Sequence, residues 1–204
     1  MWSADRHQIK LAATTANSDS LGYLANRAGY MDSFGIMREM DELLLKAAAV
    51  GDLAAAQIAL RSGASKVATT DFGFTPLRVA AAAGHLPIVR LLIEAGVDIG
   101  CCGPHGISPL HDAVGSPEVM EALLDAGADV DGVTFQGVTP LMRAAAFGDI
   151  ASVCLLLARG ADPTKREDIR GSSAAECAGE KGEDEIASLL NGLANKPIGC
   201  ERGE

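Results

Sequence analysis

Aromatic side chains are scarce in this sequence: one Trp, two Tyr and five Phe make up 4% of its 204 residues. A core with so few rings must be built from Ala, Leu, Val and Ile in close helix packing, within a hydrophobic content of 48%. Long apolar runs are also missing. Arg, His, Asp or Gly interrupts each one before the roughly 18 residues a bilayer-spanning helix needs, so no membrane span is expected. Basic charge is in short supply too. The net charge is −10, with four basic and four acidic side chains in residues 1–40, nine and fourteen in 41–166, and four and nine in 167–204. No segment offers a basic surface, which disfavours binding to a phosphate backbone and hence nucleic acid as a partner. The acidic end reads as a solvated, solubilising surface, with a basic groove on a partner as the sharper alternative.

Paired cysteines are lacking. Five cysteines, two of them adjacent at Cys101 and Cys102, make a poor disulfide framework and suit reduced thiols in an intracellular compartment. The start of the chain has no charged region, apolar stretch and small-residue cleavage site of a secretory signal. Asp5, Asp19, Asp32 and Glu39 argue against an intact organelle transit peptide. The expected location is intracellular, the cytoplasm ahead of an organelle interior, and not secreted.

What is present is a repeat. The stretch from Phe74 to Ile99, FTPLRVAAAAGHLPIVRLLIEAGVDI, carries apolar residues at helical spacing on both sides of Gly84-His85, which predicts two short helices joined by a tight turn and closed by Gly96. One such pair has two faces to bury and too little of itself to bury them with, so copies are required. Thr75-Pro76-Leu77 returns as Ser108-Pro109-Leu110 and Thr139-Pro140-Leu141, with a degenerate Ser173-Ala174-Ala175, at offsets of 33, 31 and 34 residues. Gly51, Gly84 and Gly148 each precede a closing glycine, Gly63, Gly96 or Gly160, by 12 residues. Thr or Ser before Pro caps a helix, because its hydroxyl accepts from orphan amides while Pro lacks a donor that would go unsatisfied. Ala80 to Ala83 and Ala144 to Ala146 keep the first helix of a pair thin, so that neighbours approach closely.

With these motifs, TPLRVAAAAGHLPIVRLLIEAGVD, SPLHDAVGSPEVMEALLDAGADV and TPLMRAAAFGDIASVCLLLARGAD, the chain resembles the ankyrin-repeat family over about residues 37–193. The fold this implies is all-α: an ankyrin-repeat solenoid of stacked helix-turn-helix pairs with finger loops, preceded by an irregular N-terminal arm. The expected divisions are an arm at 1–36, a repeat domain at 37–193 with two capping pairs and three full repeats, and a polar tail at 194–204. The first pair is expected at Met37 to Ala49 and Leu53 to Leu60, with an outer face that meets solvent. In the second repeat, Ala113-Val114-Gly115-Ser116-Pro117 is two residues short, which predicts a truncated first helix and a local notch. The last pair has lost Pro and gained charge, as a C-terminal cap requires. The arm holds Trp2, Tyr23, Tyr30 and Phe34, which suits either a tail folded over the first repeat or an arm that wraps a partner.

The resemblance further implies non-catalytic protein–protein recognition through finger tips and the exposed side of the first helices, lining a concave face. The finger columns hold Phe72 and Phe74, then His105 and Ile107, then Phe135, Gln136 and Val138; Phe147 stands at the end of a first helix. Four of the five phenylalanines thus fall in columns the family leaves variable and exposed. These eight residues are the expected partner-binding set, since aromatic anchors dominate binding hot spots. The competing reading has Phe72 and Phe74 folded down to pad a finger. At the level of the assembly, the alternative to a binding module is a permanent accessory subunit of a larger complex, held by arm and solenoid together.

Residues that invite chemistry do not add up to a site. Cys101, Cys102, His105 and His111 are soft ligands, yet adjacent cysteines rarely direct both sulfurs to one tetrahedral ion. His111 matches the histidine of the family's Thr-Pro-Leu-His motif, which implies hydrogen bonding between repeats. Cys102 and His105 lack an orienting third group or an oxyanion hole, and no GxxxxGK[ST] phosphate loop exists. Neither a catalytic residue nor a metal or cofactor is expected.

Overall fold

The computed structural model describes residues 33–101 and 103–194 and divides into two compact units, one up to Asp98 and one from Ile99 onward. The expected arm up to residue 32, with Trp2, Tyr23 and Tyr30, the tail from 195 and Cys102 lie outside the described residues.

The first unit contains α1 (Ser33–Val50), α2 (Leu53–Arg61), α3 (Pro76–Ala82) and α4 (Leu86–Glu94). Within it α1 packs on α2 and α3, α3 on α4, and α2 on α4, so first helices lie against first helices and second against second. Helix α1 starts four residues before the expected Met37, because Gly35 costs a helix only about 1 kcal/mol relative to Ala and the helix runs through it. Asp52 caps α2 by accepting from the Ala55 amide at 2.9 Å, and Thr75 caps α3 through the Arg78 amide at 3.4 Å. Ala48, Ala56, Ala59, Ala80 and Ala81 are fully buried with Leu44, Leu77, Ile88, Val89 and Leu92. The core is as poor in rings as composition demands. Ala82 and Ala83, at the end of α3, are exposed.

The second unit contains α5 (Pro109–Asp112), α6 (Pro117–Asp125), α7 (Pro140–Ala146), α8 (Ile150–Ala158), α9 (Ala174–Lys181) and α10 (Asp184–Ala194). Here α5 packs on α6 and α7, α7 on α8 and α9, α6 on α8, and α9 on α10. Helix α5 is a single turn, as the shortened second repeat predicts. At the gap it leaves, the Asp149 carboxylate both caps α8, accepting from the Ser152 amide at 3.2 Å, and accepts from the Gly115 amide at 2.8 Å. The preceding repeat is thereby tied to the next where its helix stops.

His111 is completely buried and joins two repeats. Its Nδ1 lies 3.3 Å from the Ser108 amide and 2.8 Å from Ser108 Oγ, and its Nε2 lies 3.0 Å from the Val138 carbonyl oxygen. An amide can only donate, so Nδ1 is the acceptor and the proton sits on Nε2, which donates to Val138. This bears out the inter-repeat role that the Thr-Pro-Leu-His pattern implies. In the first unit His85 Nε2 reaches the Ala49 carbonyl at 3.2 Å, and its ring covers Gly51 so closely that a Cβ there would come within 2.8 Å of Cε1.

The C-terminal pair is held by carboxylates. Glu167 is buried and accepts from the backbone amides of Ile169, at 2.8 Å, and Arg170, at 2.7 Å. The Ile169 hydrogen bond, with help from Arg170 and Ser172 and against the cost of burial, holds its pKa below the ordinary glutamate value. Glu176 closes a capping box: it accepts from the Ser173 amide at 2.7 Å while its own amide donates to Ser173 Oγ at 3.4 Å, and Arg166 approaches to 2.8 Å. Those bonds, the Ser173 amide first, lower its pKa as well.

Two outcomes follow. Replacing His111 by Ala removes the Ser108 acceptor and the Val138 donor and leaves a cavity, and should cost about 2 kcal/mol or more in urea unfolding with an unchanged dependence on urea. Both glutamates have folded pKa values below their unfolded ones, so their contribution is present above about pH 4.3 and is lost as pH falls through the folded values. Melting temperature should hold steady from neutral pH down to about 5 and drop below about 4.3. Glu167→Gln should melt lower at neutral pH and show a shallower acid decline; a decline unchanged from wild type would count against this assignment.

Candidate functional site

Each finger is a tight hairpin turn built on one pattern. In the first unit Thr70 donates its amide to Phe74 O at 3.0 Å and accepts through its carbonyl from Gly73 at 2.8 Å, while its hydroxyl takes the Phe74 amide at 3.1 Å. In the second unit Thr134 does the same with Val138 and Gly137, at 3.0 and 2.9 Å, and its hydroxyl takes the Val138 amide at 3.2 Å. The turn around Gly103 follows without a hydroxyl, the Gly103 amide donating to Ile107 O at 3.0 Å.

Neighbouring fingers of the second unit are then linked in series by single backbone bonds. The Phe135 amide donates to His105 O and the Asp168 amide to Gln136 O, each at 2.9 Å. The first link places the Phe135 ring on the finger before it: a Cβ at Gly106 would lie 2.8 Å from Phe135 Cδ1 and 2.9 Å from its amide nitrogen. Only glycine allows that approach, and its φ of 75° is one that side chains disfavour. His105 adopts φ 67°, at a cost of roughly 1–2 kcal/mol for a residue with a Cβ, while its carbonyl receives Phe135.

The expected partner-binding residues separate into two layers. Phe72 is 78% exposed, Phe135 79% and Phe147 70%, and His105 and Gln136 are also exposed. Phe74, Ile107 and Val138 are half-buried, which corrects the expectation of a fully exposed apolar column. Their common place is the last finger position before the capped Thr or Ser, where the chain turns down into the first helix. Phe74 in particular stacks on Arg78, whose guanidinium carbon lies 4.4 Å from the ring centroid and whose side chain is buried. Phe74 therefore pads its finger, as the competing reading had it, whereas Phe72 does not.

At the end of α7 the Phe147 ring lies under Arg143, 5.7 Å from centroid to guanidinium carbon, and Arg143 is in turn 3.7 Å from Asp112. Two carboxylates that were not among the expected binding residues lie over glycines that follow the exposed rings in sequence. Asp168 overlies Gly137, where a Cβ would come within 2.9 Å of its carboxyl carbon, and Glu183 overlies Gly148 within 2.7 Å. The register of the fingers carried a signal for the first, because Asp168 occupies the column of Phe135. Ile169, next along, is 66% exposed.

Among the described residues no group of three or more His, Cys, Asp or Glu is arranged to hold a metal ion. No helix among them is long and apolar enough to cross a membrane.

Comparison with known proteins agrees with the geometry. A family model described as ankyrin repeats (3 copies) matches residues 43–134 and again 105–167. Ankyrin repeat, SAM and basic leucine zipper domain-containing protein 1 of Nomascus leucogenys is 30% identical over 101 residues, 44% of this chain and 21% of that protein. Its counterpart in Chlorocebus aethiops is 30% identical over 97 residues, 42% and 20% of the two chains. That of Colobus guereza is 32% identical over 78 residues, 38% and 16%. The chain spans about a fifth of the length of these relatives. Capped helix pairs joined by finger turns, over a family match that covers more than half of the sequence, make this chain a member of the ankyrin-repeat family.

Proposed function

We propose that the chain is a non-catalytic protein-binding module. In each unit the contact residues are those at the finger tips and at the ends of the first helices: Phe72 in the first, and His105, Phe135, Gln136 and Phe147 in the second. Phe74, Ile107 and Val138 support those tips from below. Ankyrin repeats in general serve protein–protein interaction, and the observation that carries the reading here is the exposure of Phe72, Phe135 and Phe147 at 78%, 79% and 70%. Rings left in water on a chain that has five phenylalanines in all are poor use of its scarcest core material, unless a partner covers them.

The scaffold suits the task. Finger turns held by Thr hydroxyls and linked through backbone bonds present their tips already ordered, so little conformational entropy remains to be lost on binding. Rings of this kind are the usual hot spots, and truncating a well-placed one costs about 2 kcal/mol or more, roughly thirtyfold in affinity.

The test compares two variants of the full chain. Phe72→Ala, Phe135→Ala and Phe147→Ala together should leave unfolding free energy within about 1 kcal/mol of wild type and deplete proteins co-purified from the native source, as counted by quantitative mass spectrometry. Phe74→Ala should do the reverse, losing about 1–3 kcal/mol of stability with the Arg78 contact. If the triple variant retains every co-purified protein, the proposed surface is wrong.

A further inference from the structure

The charge of the chain is not evenly spread. Residues 33–98 carry six basic and seven acidic side chains, whereas residues 99–194 carry six and fifteen, a net of −9. The cations of the second unit are mostly engaged. Arg143 pairs with Asp112, Arg159 with Glu121 and Asp125, Lys165 with Asp131, Arg166 with Glu176, and Arg170 with Glu180. Lys181, two residues before Glu183, is the local cation that opposes the acidic turn there.

Against this background the two exposed rings of the second unit share one arrangement. Each is followed by a glycine, Gly137 two residues after Phe135 and Gly148 directly after Phe147, and over that glycine lies a carboxylate from the next repeat. Neither Asp168 nor Glu183 accepts a hydrogen bond or an ion pair through its carboxylate among the described residues. An exposed ring stacks a flat, delocalised cation on its face and an open carboxylate pairs with one, so rings and carboxylates favour the same kind of side chain. Phe147 already takes a guanidinium on one face, that of Arg143 at 5.7 Å.

We infer that the second unit binds a basic protein segment, whose arginine or lysine side chains engage the rings of Phe135 and Phe147 and the carboxylates of Asp168 and Glu183. The inference rests on the protein-binding reading above and names the class of partner. It excludes acidic segments, which a unit of net charge −9 repels at close range.

The probe is a phage-displayed random-peptide library selected against the purified full chain, with selected peptides resynthesised and their affinity measured by fluorescence anisotropy. Selected sequences should be enriched in Arg and Lys. Their affinity should fall about tenfold in the double variant Asp168→Asn, Glu183→Gln, and fall further as salt rises towards about 0.5 M. The double variant should melt with wild type. If the peptides are neutral or acidic yet lose affinity in Phe135→Ala, Phe147→Ala, the rings bind protein but the basic class is wrong. Basic peptides indifferent to the double variant also overturn the inference. If no selected peptide depends on the rings, the protein-binding reading falls with it.

Discussion

The packing of the repeats follows from the thinness of their helical hairpins. A helix of seven residues, such as α3 or α7, cannot bury both of its faces by folding on its own partner, so a hairpin becomes stable only when another lies against it. That requirement explains the fully buried Ala80, Ala81, Ala144 and Ala145: a small side chain at the contact lets first helices approach, and the larger Leu77, Leu92, Leu141 and Leu156 fill the layer behind. It also explains the cost of polar atoms in such a stack. The buried His111 is satisfied across such a contact, reaching Val138 of the next repeat, and Asp149 reaches back in the same way to the Gly115 amide.

Most of the fold was legible because these constraints act on residues close in sequence. The Thr-Pro and Ser-Pro starts, the glycine turns and the missing turn of α5 are local properties, and each appears where spacing put it. The early start of α1 was less legible, since a single glycine is a weak stop and nothing in the pattern outweighs it. The candidate site was legible only in part. A column in the repeat register tells which residues share a position along the finger, but not how far each side chain is covered. Phe72 and Phe74 are two residues apart in one finger, and one stands in solvent while the other stacks on Arg78. The finger register pointed to the position of Asp168, but the place of the Asp168 and Glu183 carboxylates over Gly137 and Gly148 is set by contact between successive repeats and was not legible.

The same distinction separates what the scaffold fixes from what it leaves open. The Thr134 finger is pinned three times over, by the turn's own hydrogen bonds, by the threonine hydroxyl and by backbone bonds to the segments on either side, and the other two fingers are each pinned in two of these ways. His105 shows how strongly the position is imposed, since it holds a left-handed conformation without being glycine. With the backbone so constrained, a change of side chain at a tip alters what the surface offers and costs the fold little. The exposed residues are thus free to vary with the partner, and the glycines beneath them are not: a Cβ at Gly106 would strike the Phe135 backbone, and Gly148 holds a φ of 72° that side chains disfavour.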